Sequence, residues 1–257
     1  MVKLKKYRCA VKRFGLFLTF LLLSCAPKTY HVNRVEGREI GVVESGGTNA
    51  GIEEFIKPYR ENIDKDMNVV LAYAPQTLDK SGQWQCTIGN LMADLTLDFG
   101  NRVFEKRQGR KIDMCLLNFG GIRSIIPKGD VTTRTAFEVM PFENKIIVAE
   151  MKGEQINEIV NYIIAEKKAH PISGLTFTIA KDGVPKTIAI NGTMVNPAKS
   201  YFVVTSDYLI NGGDRMDFFK KAANLYDLDY KLRNVLIDYF KEVDTLPVVN
   251  DVRIKVE

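Results

Sequence analysis

The side chains of this 257-residue sequence best placed to hold a small ligand sit in turns that follow apolar runs. Asn118-Phe119-Gly120-Gly121-Ile122-Arg123 follows the apolar run 112–117. Paired glycines let backbone approach a ligand closely, and Arg123 brings a planar, permanently charged fork suited to phosphate or carboxylate. Alone, such a turn reads first as a plain loop with a solvated arginine. Asn211-Gly212-Gly213-Asp214 is equally ambiguous, since turns favour these residues for their own geometry. Pro141-Phe142 by itself reads as a core aromatic after a helix stop.

Other chemistry is excluded by what the sequence does not contain. His31 and His170 are its only histidines, and His31 lies in a polar leading segment. A hydrolytic two-metal site needs several imidazole and carboxylate ligands around ions roughly 3.5 to 4 Å apart, which one histidine inside the fold does not supply. His170, beside Pro171, is expected on a surface loop. No GxSxG elbow, P-loop or dinucleotide GxGxxG occurs. Asp98-Phe99-Gly100 spells a kinase tripeptide without its partner motifs and is read as a coincidence inside a helix.

The elements that must position these turns follow from periodicity. Ile52, Phe55, Ile56 and Tyr59 predict a short amphipathic helix to about Asp64, and 67–72 predicts a strand. Leu91, Leu95, Leu97, Phe99 and Val103 predict a second helix after Gly89-Asn90, and 112–117 a second strand. A short helix from Thr133, a strand over 145–151 and a helix carrying Ile156, Ile159, Val160 and Ile163 come next. Strand 175–179 is followed by Asn191-Gly192, a hairpin signal between 187–190 and 194–195. Strand 201–205, a helix from about Tyr230 to Glu242 and a strand over 252–256 close the chain. Interleaved strands and helices with one hairpin argue for a mixed-sheet α/β domain.

The first residues read as an address. A basic stretch, the apolar run 14–23 and then Ser24-Cys25 have the layout of a bacterial secretory signal ending at a lipidated cysteine, with Leu22-Leu23-Ser24-Cys25 resembling a lipobox. About ten apolar residues fall short of the roughly 20 that span a bilayer. The formal charge of +5 is concentrated there, and the sequence without residues 1–24 carries −1, so nucleic acid is not an expected partner. The expected organisation is a signal over 1–24, a lipidated tether over 25–51 anchored through Cys25 in the cell envelope, and one folded domain over 52–257. That domain keeps Cys86 and Cys115, either paired in an exported compartment or present as two small buried thiols.

Taken together and in order, Gly89-Asn90-Leu91, the Asn118 to Arg123 turn, Pro141-Phe142-Glu143-Asn144, Ser173-Gly174-Leu175 and Asn211-Gly212-Gly213-Asp214 resemble the C-terminal domain of the 5′-nucleotidase and UDP-sugar hydrolase family. The resemblance covers roughly residues 52–257 and implies an α/β (α+β) fold with a layered mixed β-sheet. It implies that Phe142 and Tyr208 stack on the two faces of a base and that Asp214 accepts hydrogen bonds from ribose hydroxyls. Asn118 and Arg123 match substrate contacts, Arg123 near the phosphate, and Asn144 matches a polar group at the edge of the base. Three departures stand out. Trp84 stands about where relatives place a further phosphate-binding arginine, and Phe119 and Arg215 replace glycines frequent in the two loops. No Asp-x-His, Gly-Asn-His or Gly-His-x-His occurs, so the family's metal-binding catalytic residues have no counterpart in this sequence. No catalytic residue and no cofactor is therefore expected in this chain. The resemblance implies a nucleoside or nucleotide ligand, with divalent metal on a metallophosphoesterase partner chain. The alternative is an envelope lipoprotein that captures nucleosides or nucleotides without helping to cleave them.

Overall fold

The computed structural model describes residues 4–22, 30–41 and 47–257, so Cys25, the expected lipidation site, lies outside the described residues. The chain divides into two compact units, Met1–Ala50 and Gly51–Glu257. Among the described residues the first carries helix α1 (Leu4–Leu22). No described helix is long and apolar enough to cross a membrane.

The second unit begins with α2 (Ala50–Met67), which has no buried residue. The predicted helix is thus present and longer than expected, but Phe55, Tyr59 and Ile63 face outward. Strand β1 (Val70–Ala74) pairs antiparallel with β3 (Gly129–Thr132), a strand that periodicity did not reveal because only Val131 of its four residues is apolar and buried. Between them lie α3 (Thr87–Gln108) and β2 (Met114–Leu116). Helix α3 buries Ile88, Leu91, Met92, Leu95, Phe99 and Phe104, apolar residues that recur about once per turn along its length. Each such side chain contributes roughly 1.5 to 3 kcal/mol of transfer free energy. Asp98-Phe99-Gly100 lies inside this helix.

After β3 come α4 (Thr133–Val139), β4 (Lys145–Lys152), α5 (Gly153–Glu166), β5 (Ile172–Ser173) and β6 (Leu175–Ile179). The Asn191-Gly192 turn joins β7 (Pro185–Ile190) to β8 (Thr193–Met194), and β9 (Ser200–Ser206), α6 (Asp207–Ile210), β10 (Asn224–Lys231), α7 (Leu232–Glu242) and β11 (Ile254–Val256) complete the unit. The central sheet has the order β10-β4-β9-β2-β5, and a smaller one the order β11-β6-β7-β8. The fold is therefore mixed α/β, with three sheets rather than one.

Alternation along the central strands divides the core in two. Ile146 and Val148 of β4, Cys115 of β2 and Val204 of β9 pack with α3 and α7 on one face. Ala149 and Met151, Met114 and Leu116, and Tyr201 and Val203 pack with α5 and β6 on the other. Successive side chains of a strand point to opposite faces, so one sheet supplies both layers. Cys86 and Cys115 are free buried thiols.

The sheet also sets where the ligand loops emerge. Strand β9 runs parallel to β2 and antiparallel to β4. The C-terminal ends of β2 and β9 therefore meet the N-terminal end of β4 at one edge, and ligand sites of open α/β sheets collect at such strand ends. Asn118 leaves β2 there, Asn144 enters β4 there, and Tyr208 follows β9 there.

Candidate functional site

The cleft at this edge has a volume of about 380 Å³, and Asn118, Gly120, Gly121, Arg123, Phe142, Asn144, Tyr208 and Asp214 line it. All six side chains singled out in the sequence thus come together, from four separate segments. Phe142 and Tyr208 are 41% and 44% exposed, so each ring presents an uncovered surface to a ligand. Such half-exposed rings are what stacking on a heterocycle requires.

Asp214 is the hub of the polar contacts. Its Oδ2 accepts from Asn118 Nδ2 at 2.8 Å and its Oδ1 from the Tyr208 hydroxyl at 2.9 Å. The hydrogen bond to Asp214 raises the Tyr208 pKa, because the carboxylate favours the protonated phenol. The Asp214 carbonyl accepts from the Tyr162 hydroxyl at 2.7 Å. Arg123 lies 6.0 Å from the Phe142 ring centroid and donates to the Gly120 carbonyl at 3.3 Å, which keeps its fork over the glycine turn.

Several residues that sequence reasoning passed over hold this arrangement. Arg233, at the start of α7, is buried and donates to the carbonyls of Pro141 and Phe142 at 3.2 and 3.4 Å. It also pairs with Glu143, as does Lys231, and the Leu232 amide donates to the Asn144 carbonyl at 3.0 Å. The whole 141–144 loop is therefore gripped by 231–233. Lys80 places its Nζ 4.0 Å from the Phe119 ring centroid and donates to the Ile122 carbonyl at 2.7 Å. Burial lowers its pKa, and Arg123 adds to that by like-charge repulsion. A cation thus approaches the Arg123 side although Trp84 does not provide one; Trp84 instead packs half-buried against the second core layer. A lone lysine in a loop carried no pattern by which the sequence singled it out.

His170 corrects an expectation. It is 2% exposed, not a surface-loop residue. Its Nδ1 accepts from the Phe119 amide at 3.3 Å, and its ring lies 5.5 Å from that of Tyr162. Burial first, then Lys168, pushes its pKa down to about 4. The imidazole is neutral at pH 7 and serves to hold the Asn118 loop. Pro171 did not mark a surface turn, because the Pro171 carbonyl accepts from the Leu117 amide and 172–173 join the sheet.

Two of the five sequence motifs build the fold rather than the cleft. Arg253, 6% exposed, pairs with Asp94 and Asp251 and donates to the carbonyls of Asn90 and Ile172. Asn90 Nδ2 donates to the Asp251 carbonyl at 3.1 Å, and Ser173 Oγ to Asp94 at 2.6 Å. Gly174 has φ +75°, and a Cβ there would lie 2.4 Å from the Asp113 carbonyl oxygen. Gly89-Asn90-Leu91 and Ser173-Gly174-Leu175 therefore clamp β11 to the body of the domain.

The donor set does not fit a divalent metal. Asp214 is the one carboxylate among the residues that line the cleft, whereas a divalent ion takes several such ligands. Among the described residues no group of three or more His, Cys, Asp or Glu is arranged to hold an ion.

Comparison with known proteins decides the family. The model of the 5′-nucleotidase C-terminal domain matches residues 67–221. The chain belongs to this family. Proteins similar to it include Protein UshA of Escherichia coli (strain K12), 34% identical over 109 residues, which are 40% of this chain and 19% of that protein. The trifunctional nucleotide phosphoesterase protein YfkN of Bacillus subtilis (strain 168) is 25% identical over 213 residues, 76% of this chain and 14% of that protein. The crystal structure of a 5′-nucleotidase precursor from Thermus thermophilus superposes with a TM-score of 0.68 at 25% identity, covering 79% of this chain and 42% of that one. The chain thus spans less than a fifth of the length of these two curated relatives of the 5′-nucleotidase family.

Proposed function

We propose that this 5′-nucleotidase C-terminal domain binds a nucleoside or nucleotide in the cleft between Phe142 and Tyr208, and that it orients the ligand for hydrolysis by a metallophosphoesterase on a separate chain. One observation carries this reading: Asn118, Arg123, Phe142, Asn144, Tyr208 and Asp214 converge on one cavity whose size suits a small ligand. Phe142 and Tyr208 stack on the base, Asp214 grips the ribose hydroxyls, Asn144 meets the base edge, and Arg123 with Asn118 lies toward the phosphate. The domain's part in hydrolysis is positioning, which lowers the entropic component of the barrier. In this reading the divalent metal is held by the partner chain. Anchorage in the bacterial envelope through a lipid on Cys25 would put the domain where it meets exported nucleotides.

Titration calorimetry with adenosine and adenosine 5′-monophosphate tests the binding step, and Phe142→Ala and Tyr208→Ala each weaken it about tenfold. Unchanged affinity in both variants refutes the placement of the ligand. Adding the domain to an envelope metallophosphoesterase raises its release of phosphate from nucleoside monophosphates; no increase refutes the split arrangement.

A further inference from the structure

Phe119, in the Asn118 turn, and Arg215, next to Asp214, meet in one place. Both line a second cavity of about 410 Å³, walled also by Tyr162, Glu166, Lys168 and His170. This cavity adjoins the proposed nucleoside cleft, because Gly120 and Asp214 line both.

Its charges are unequally matched. Lys168 Nζ pairs with Glu166 at 2.6 Å, and each carboxylate oxygen of Asp214 accepts one hydrogen bond, from Asn118 or Tyr208. The Arg215 guanidinium has no ion pair or side-chain hydrogen bond among the described residues, yet lies near enough to Glu166 and Tyr162 to act on both electrostatically. Buried His170 Nε2 likewise lacks a hydrogen-bond partner there. Arg215 also holds φ +60°, a conformation that disfavours most side chains and suits glycine. An arginine here is sterically costly to the loop, and its fork matches phosphate and carboxylate oxygens.

We propose that this second cavity is an anion subsite, in which Arg215 pairs with a phosphate or carboxylate carried by a ligand whose nucleoside part lies in the adjoining cleft. Phe119 lines this second cavity beside the shared Gly120. The inference rests on the nucleoside reading of the first cleft.

Calorimetry with adenosine, its 3′-monophosphate, 5′-monophosphate and 5′-diphosphate, and inorganic phosphate alone, tests it in the wild-type protein and in Arg215→Gly, Arg215→Gln and Arg123→Ala. Glycine suits the backbone conformation, and glutamine keeps a side chain without the charge. The readout is the affinity ratio of each nucleotide to adenosine within one variant, which general damage to the fold does not change. At least one nucleotide binds the wild type about tenfold more tightly than adenosine, and both Arg215 variants abolish that gain. A gain that survives them, or that is lost only in Arg123→Ala, overturns the proposal. Arg215-dependent binding of inorganic phosphate without any nucleotide gain also overturns it, by assigning the cavity to a free anion. Adenosine binding without an Arg215-dependent gain removes this inference alone, whereas no adenosine binding removes the nucleoside reading beneath it.

Discussion

Replacing Gly213 by alanine should disable the cleft without unfolding the domain. A Cβ at this position would lie 2.4, 2.5 and 2.6 Å from Cε1, Cζ and Cδ1 of Tyr208. Carbon atoms pack at roughly 3.5 to 4.0 Å, so the ring must withdraw by about 1 Å or more. Such a shift breaks the 2.9 Å bond from the Tyr208 hydroxyl to Asp214, because O–H···O bonds extend only to about 3.0 Å. Tyr208 is 44% exposed, so its ring can swing toward solvent at small cost to the fold. Gly213 lies outside the left-handed region, so alanine adds no backbone strain. One stacking partner is worth about 1 to 3 kcal/mol, and 1.4 kcal/mol is tenfold in affinity. Calorimetry should therefore show adenosine binding weakened about tenfold, while the thermal midpoint moves by only a few degrees. Unchanged affinity with a folded variant would mean that Tyr208 does not cover the ligand.

Arg233→Met should loosen the 141–144 loop, costing about 2 kcal/mol in urea unfolding through the two carbonyls it leaves unbonded, and should weaken adenosine binding severalfold; Arg233→Lys should not restore the wild-type affinity, since lysine lacks the fork. His170 titrates near 4 in the folded protein against about 6.5 unfolded, so the unfolded state binds more protons between those values and stability falls as pH drops from 6.5 toward 4. Lys168 strengthens this and Asp214, Glu166 and the Leu117 carbonyl offset part of it. The loss between pH 7 and 5 should be about 2 kcal/mol larger in the wild type than in His170→Gln, measured by urea unfolding, and equal losses would refute the assignment.

Much of the fold was legible because its signals are local. Helices α3, α5 and α7 carry apolar stripes, and Asn191-Gly192 marks its hairpin. Strand β10 was missed because its sequence, Asn-Leu-Tyr-Asp-Leu-Asp-Tyr-Lys, alternates with charged residues and buries only Leu228 fully. Its pairing with β4 supplies what its own apolar content does not. Likewise α2 has the periodicity of a buried helix and buries nothing, since periodicity reports a stripe and not what covers it. At the site, the residues that touch a ligand were legible as types at turns. Those that hold the turns, Arg233, Tyr162 and His170, were not, because their contacts cross 50 or more positions of chain.

That division has a mechanical basis. A loop that leaves a strand end has few neighbours of its own, so its shape is fixed from a distance: Phe142 by the start of α7, the Asn118 turn by His170, and the Asp214 carbonyl by Tyr162. The Arg253 clamp does the same for the segment before β11, tying Asn90, Asp94, Ile172 and Asp251 through one guanidinium. Motif order therefore identifies the family through both kinds of residue, while only one kind can tune a ligand. Arg215 is neither a loop anchor nor part of the clamp, and with Phe119 it lines the cavity that adjoins the cleft. Substitutions that leave the braces intact and alter such boundary positions can change which ligand is taken while keeping the same sheet and the same loops.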